Sequence, residues 1–309
     1  MSESTELTLR LAVPEDSQAL LGVIREAFSA RAPVDPPAAA LAEDEDTIRA
    51  ALAEGFGVLA EIDGRPVAGL LVRLNGDLAT LRRVSVLPSA SGAGVARTMV
   101  EAAALAAVDA GATRVELLAR REFPDLVAWW QKLGFQILRP AELGFVLGRP
   151  LPVALDIPTA EAMQDLGRRL ATMLRAGDVI VANGDLGAGK TTLTQGIGEG
   201  LGIEGPVISP TFVISRVHPN AGDGPALVHV DAYRLGSPSE LNDIDLDATL
   251  ADAVTLVEWG RGVAEWLSAD RLEIDIVRSD DPSDDTRTVY LTGLGARWAD
   301  ALETLREQP

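Results

Sequence analysis

Apolar and polar positions alternate through Leu7–Val13 and then take up a helical period from Pro14 to Ala30, with Pro14 suited to a first helical turn. A second helix is predicted over Glu43–Gly55. From Phe56 to Leu74 two strand-like runs flank Asp63-Gly64, a dipeptide that favours a two-residue hairpin turn. A strand over Ala79–Leu87, a helix over Gly94–Gly111, a strand over Arg114–Ala119, a helix over Pro124–Gly134 and a closing pair of strands follow.

The stretch Gly148–Pro158 holds Pro150, Pro152 and Pro158, which interrupt regular structure and favour an extended connector. Two domains are therefore expected, over residues 1–148 and 158–309, joined by residues 149–157. After the connector a helix is predicted over Thr159–Gly177. Short apolar strands are predicted over Asp178–Asn183, Ala226–Asp231, Val254–Trp259 and Arg271–Val277, with a last one over Thr286–Gly293. Both halves are of α/β class, and the second pattern implies a mainly parallel sheet with ligands at strand ends.

Composition narrows the chemistry. The 309 residues contain no cysteine, which removes disulfides, thiolate metal sites and cysteine nucleophiles. The start, MSESTELTLR, is polar and acidic, and no apolar run approaches the roughly 20 residues of a membrane helix. A cytoplasmic protein with no membrane segment is expected. Residues 1–150 carry 15 basic and 20 acidic side chains (15 − 20 = −5), and residues 151–309 carry 12 and 26 (12 − 26 = −14), which together give the net charge of −19. A nucleic-acid binder gathers excess Lys and Arg, so any nucleic acid served by the second half is expected to be held by a partner.

Of 27 basic residues only Lys132 and Lys190 are lysine. Lys190 completes Gly184-Asp185-Leu186-Gly187-Ala188-Gly189-Lys190-Thr191, the G-x-x-x-x-G-K-[ST] pattern, placed between a strand and a helix. Glycines permit the backbone angles and close approach that a phosphate needs, and successive N–H groups at a helix start surround its oxygens. The Lys190 ammonium is a mobile point charge for the β- and γ-phosphates, a task arginine's planar fork does not share, and the Thr191 hydroxyl is suited to Mg²⁺. No lysine follows Lys190, so a guanine-recognising Asn-Lys-x-Asp motif is absent and ATP is expected. Gly196, Gly198 and Gly200 fall in the following helix, each costing about 1 kcal/mol against alanine. Either that helix is short or something packs tightly on it.

Two strands end in acids, at Asp231 and Glu258, where such a loop needs a carboxylate to hold Mg²⁺ directly or through water. Thr211, in Ser209-Pro210-Thr211-Phe212, lies where a loop would sense the γ-phosphate, with a hydroxyl suited to contact metal; the alternative is a plain Ser-Pro turn. His229, inside its strand, reads as a structural hydrogen-bonding residue, and the acidic stretch Glu240–Ala253 reads as a solvated face or a partner surface. A small-molecule kinase is the rival reading, although the arginines after the loop are scattered singly and give no arginine-bearing lid.

GDLGAGKTT, SPTF, HVDAYRL and LVEWG, in this order, resemble the TsaE family, the P-loop ATPases of bacterial N6-threonylcarbamoyladenosine synthesis at tRNA position 37; the resemblance spans about residues 153–309. It implies that Gly187, Ala188, Gly189, Lys190, Thr191 and Thr192 bind ATP together with Gly184 and Asp185. It further implies that Thr191 and Glu258 bind Mg²⁺, that Asp231 supports hydrolysis, and that Trp259 and Arg287 line the pocket. Met163 stands where the family usually has threonine. The family works with a TsaB–TsaD complex that handles the tRNA.

Val86–Val100 resembles the acyl-CoA loop of GNAT N-acetyltransferases, and WWQKLGF (Trp129–Phe135) resembles their late aromatic block; together the likeness spans about residues 7–147. It implies a mixed sheet with flanking helices, and acetyl-CoA held near Val86, Gly92, Gly94, Val95 and Ala96. Ser91 replaces the usual Gln or Arg, and Trp130 replaces a frequent catalytic tyrosine, leaving no phenol there to protonate a thiolate. The acceptor would be an amine, as in the ribosomal-protein alanine acetyltransferases; a non-catalytic binding module is the alternative.

Overall fold

The computed structural model describes residues 7–92, 94–210, 213–235, 237–244, 246–279, 281, 283–298 and 301–306. The chain divides into two compact units, Met1–Leu151 and Pro152–Pro309.

Unit 1 runs β1 (Leu7–Ala12), α1 (Ser17–Ser29), α2 (Glu45–Glu54), β2 (Phe56–Ile62), β3 (Arg65–Asn75), β4 (Leu78–Val86), α3 (Val95–Asp109), β5 (Arg114–Arg120), α4 (Pro124–Lys132), β6 (Gln136–Ala141) and β7 (Gly144–Pro150). Its seven strands are ordered β1-β2-β3-β4-β5-β7-β6. Asp63 and Gly64 both take positive φ (51° and 72°), which closes the β2–β3 hairpin. Apolar residues of α1 and α2, among them Leu20, Ile24, Ile48 and Leu52, form one core with Leu59 and Leu71. Those of α3 and α4, including Met99 and Trp130, form another with Leu70, Leu81 and Leu117. Every ladder is antiparallel except β4–β5, which pairs in parallel only from Leu78↔Arg114 to Leu81↔Leu117. A register shift against β3 and the positive φ of Arg83 (55°) then turn β4 away, and among the described residues the β4–β5 ladder does not continue past Leu81.

Unit 2 runs β8 (Val153–Ile157), α5 (Ala160–Ala171), β9 (Val179–Gly184), α6 (Lys190–Leu201), β10 (Ser215–His218), β11 (Ala226–Asp231), α7 (Pro238–Asn242), α8 (Asp247–Leu250), β12 (Ala253–Glu258), β13 (Arg271–Arg278), β14 (Arg287–Leu294) and α9 (Glu303–Arg306). The sheet order is β10-β11-β12-β9-β13-β14-β8. The four central strands β11, β12, β9 and β13 are mutually parallel, and β10, β14 and β8 add antiparallel flanks.

Several features differ from the sequence pattern, among them β10, a strand that the pattern does not predict. Residues 149–157 are not a free connector: Arg149 and Pro150 finish β7, and Val153–Ile157 is the edge strand β8, paired with β14. Proline's φ suits extended backbone and its missing N–H is tolerated at a strand end, so prolines that read as a break here frame two strands. The helix predicted to Gly177 stops at Ala171.

The glycines of α6 are explained by packing, for the helix keeps twelve residues. A Cβ on Gly196 would fall into the backbone of Gln164 in α5, 2.7 Å from its Cα; one on Gly200 would lie 2.5 Å from the Ala171 Cβ, and one on Gly167 would lie 2.5 Å from Leu193 O. The two helix backbones meet through this seam. Gly196→Ala is expected to lower the stability of unit 2 by about 1–3 kcal/mol through overpacking. The exposed Gly22→Ala in α1, where a Cβ meets nothing within 4 Å, should instead gain roughly 0.5–1 kcal/mol. Denaturant unfolding midpoints measure both.

Candidate functional site

In unit 2 the strand β9 delivers Gly184 into a short loop, residues 185–189, that ends at the first turn of α6. Gly184, Gly187 and Gly189 have φ of 144°, 77° and 115°, a region costly for any side chain. A Cβ at Gly184 would also lie 2.6 Å from Ile276 O of β13. Ala188 is buried, Asp185 is exposed and Leu186 is 85% exposed at the tip; Thr192 is half-buried on the first turn of α6. Lys190 folds back over the loop, its Nζ donating to the carbonyls of Gly184 (2.6 Å) and Asp185 (2.9 Å). The same ammonium sits 3.8 Å above the Trp259 ring. Burial holds the Lys190 pKa below the ordinary lysine value, and the charges of Glu258, Asp231 and Asp185 offset part of that effect.

The parallel register aligns the acids. Asp231 is opposite Glu258, and Glu258 is opposite Ala182 of β9, so both carboxylates finish their strands at the end where the loop begins. Glu258 is only 3% exposed. Its Oε1 accepts from the Thr191 hydroxyl at 3.0 Å, with Oε2 at 3.3 Å from the same hydroxyl, and His229 Nε2 lies 2.8 Å from Oε1. Asp231 Oδ1 accepts from the N–H of Tyr233 (3.1 Å). Trp259, directly after Glu258, adopts φ of 60° while its N–H donates to Ala182 O (2.8 Å), and its ring stands 5.0 Å from that of Tyr233. The positive φ of a bulky residue is a strained geometry, here tied down by that bond to β9.

Thr191 and Glu258 form a sparse set of oxygen donors. Among the described residues no group of three or more His, Asp or Glu side chains builds a metal cage. This donor set suits Mg²⁺, which takes one or two protein oxygens and completes its shell with phosphate and water.

Unit 1 carries a second loop-to-helix start. Gly92 and Gly94 have φ of 84° and 77°, and Gly94 is the N-cap of α3; a Cβ at either would meet nothing within 4 Å. Val95 is buried, while Ala96 and Val86 are half-buried. The first N–H groups of a helix lack intrahelical partners and favour an anion. The turn follows β4, whose Val84 carbonyl accepts from the Arg31 guanidinium (2.9 Å). Trp130 is buried, its ring packed edge-on against Trp129 (4.8 Å) and Phe135 (5.0 Å).

The family described as threonylcarbamoyl adenosine biosynthesis protein TsaE matches residues 157–289, and the acetyltransferase (GNAT) family matches residues 21–135. The tRNA threonylcarbamoyladenosine biosynthesis protein TsaE of Streptomyces coelicolor is 61% identical over 141 residues, covering 45% of this chain and 95% of that protein. The chain belongs to the TsaE family. The TsaE proteins of Mycobacterium bovis (49% identical, 40% of this chain and 77% of that protein) and Bacillus subtilis (41%, 47% and 88%) are further relatives. The TsaE region falls in unit 2 and the GNAT region in unit 1, so one chain joins the two.

Within the TsaE region the structure brings Lys190, Thr191, Glu258 and Trp259 together, with Asp231 on the adjacent strand. Arg287 begins β14 opposite Arg278, and its guanidinium is 3.4 Å from the exposed Asp285. Thr211 lies outside the described residues. Met163, where the family usually has threonine, is buried with its methyl group beside Gly189, 3.4 Å from where a Cβ would stand. The sequence pattern reads His229 as a structural hydrogen-bonding residue; the bond exists, and its partner is Glu258. The spacing His-x-Asp is the signal, since it puts His229 and Asp231 on one face of β11. Asn183 carries no such signal, yet its Oδ1 accepts the Arg261 N–H (3.1 Å) and ties the end of β9 to the turn after Trp259.

Because Lys190 rests on Trp259, any phosphate that draws the ammonium away changes the indole's surroundings. Adding ATP is expected to shift tryptophan emission, and Trp259→Phe should remove most of that shift although four other tryptophans remain. An unchanged response in the variant would place the reporter elsewhere.

Proposed function

We propose that unit 2 is a Mg²⁺-dependent ATPase that supports N6-threonylcarbamoyladenosine modification at position 37 of tRNA in concert with a TsaB–TsaD complex. The observation that carries this reading is the bond between Thr191 and Glu258 at the mouth of a glycine loop. The N–H groups from Gly184 to Thr192 bind phosphate oxygens, and Lys190 places its charge on the β- and γ-phosphates. Thr191 and Glu258 would hold Mg²⁺, which would supply charge neutralisation to the phosphates. Asp231 orients the attacking water from the next strand, and Trp259 walls the pocket. The acidic balance of unit 2 supports leaving the tRNA to the partner, and the TsaE relatives are tRNA threonylcarbamoyladenosine biosynthesis proteins by description. A cytoplasmic setting follows from that role; among the described residues no helix is long and apolar enough to cross a membrane.

Unit 1, in this proposal, binds acetyl-CoA, whose pyrophosphate would be received by the backbone at Gly92, Gly94, Val95 and Ala96 beside Val86. Trp130 supports a second reading for this unit. Its indole is locked into an aromatic cluster where the family usually presents a phenol, which fits a binding module that does not transfer acetyl groups.

ATP hydrolysis by the full chain, measured with and without TsaB–TsaD and scored beside tRNA modification, tests unit 2. Turnover should be slow alone, rise with the partners, and release the phosphate to water. Phosphate passed to a metabolite would select the kinase reading. Lys190→Ala should weaken ATP binding roughly a hundredfold, since bonds to charged groups contribute about 1.5–3 kcal/mol each, and should abolish modification. For unit 1, calorimetric titration of acetyl-CoA into the full chain should give saturable binding. Gly94→Val should weaken it, because a β-branched residue disfavours φ of 77° by about 1–2 kcal/mol; no heat with the unmodified chain would reject acetyl-CoA as its ligand.

A further inference from the structure

We propose that His229 is a positioning residue for the metal-binding carboxylate: its ring N–H fixes Glu258 in the orientation that Mg²⁺–nucleotide binding uses. The inference rests on the reading of unit 2 as a Mg²⁺–nucleotide site and goes beyond it by giving a task to a residue outside the phosphate loop and its acids.

His229 is fully buried in β11, opposite Leu256 of β12. Glu258 is two residues further along β12, so the two side chains are diagonal neighbours on one face of a parallel ladder. Nε2 and Oε1 are 2.8 Å apart, the separation of a charge-assisted hydrogen bond. A carboxylate only accepts, so Nε2 carries the hydrogen of this bond. The other ring nitrogen, Nδ1, is buried and has no partner among the described residues, which leaves the bond to Glu258 as the polar contact that orients the ring. His218, on the neighbouring strand β10, has its ring centroid 6.3 Å from that of His229.

A buried carboxylate needs donors, and a half-satisfied one is costly. Among the described residues Glu258 has two, Thr191 and His229. Thr191 is itself expected at the metal, whereas His229 serves the carboxylate alone. It engages Oε1 more closely than the hydroxyl does, which sets the plane of the carboxylate and leaves Oε2 the less committed oxygen. Partners of this kind commonly alter metal affinity without touching the metal.

The test measures how Mg²⁺ changes the affinity of the full chain for a non-hydrolysable ATP analogue, by calorimetry in Mg²⁺ and in EDTA. For the unmodified chain Mg²⁺ should tighten binding. His229→Asn should leave the EDTA affinity within about twofold and reduce the Mg²⁺-dependent tightening about tenfold or more, the size seen for lost outer partners of metal ligands. His229→Gln, whose amide nitrogen reaches the place of Nε2 where asparagine's cannot, should keep most of the tightening; thermal unfolding of both variants checks that they fold. Full Mg²⁺ tightening in His229→Asn would overturn the proposal and leave the site reading standing. Loss of affinity in EDTA as well, or equal damage in both variants, would make His229 a fold residue and likewise overturn it. No effect of Mg²⁺ on the unmodified chain would overturn the site reading, and the proposal with it.

Discussion

The interaction on which unit 2 depends is the burial of a carboxylate at the end of its central parallel strands. Taking Glu258 out of water is unfavourable unless donors are brought to it. The fold supplies them from two directions, Thr191 from the first turn of α6 and His229 from the neighbouring strand. Parallel register makes this possible: equal strand advance puts Asp231, Glu258 and the start of the phosphate loop at one end of the sheet. The loop, the acids and the histidine are therefore one arrangement, because moving any strand by one residue would turn its side chains to the opposite face.

The position of α6 depends in turn on what its glycines omit. Gly196 and Gly200, with Gly167 on the facing helix, let α5 and α6 approach backbone to backbone. Met163 of α5 is thereby set beside Gly189, at the entrance to the helix that carries Lys190 and Thr191. Helix propensity is sacrificed for this closeness, since glycine is a poor interior helix residue. The gain is a glycine loop seated against the buried Met163 side chain.

Much of this is legible in the sequence. The alternation of apolar runs locates the strands of the first sheet and the inner strands of the second, Asp63-Gly64 marks a hairpin, and the glycine loop with its two strand-end acids marks the candidate site. What escapes has physical reasons. The strand β8 is hidden by prolines, which act as breakers in a helix yet suit the ends of extended segments. The early end of the β4–β5 ladder depends on a register shift and on the backbone of Arg83, neither of which leaves a trace in hydrophobic periodicity. His229 is legible as a strand residue, but its partner lies on a different strand, and only ladder register pairs them. The excess of glycine in α6 leaves two explanations open, and tertiary packing decides between them.

The two sheets also differ in when they can form. In unit 1 the strands β1 to β4 are neighbours both in sequence and in space, so most pairings close short loops. In unit 2 the central strand β9 finds its partners only when Ala253–Glu258 and Arg271–Arg278 have been made, far along the chain. Local pairing is fast and long-range parallel pairing slow, because chain entropy must be lost before the contacts repay it. During synthesis the acetyltransferase-like unit is thus able to reach its native state while the phosphate loop, already outside the ribosome, still waits for the strands that will give it shape.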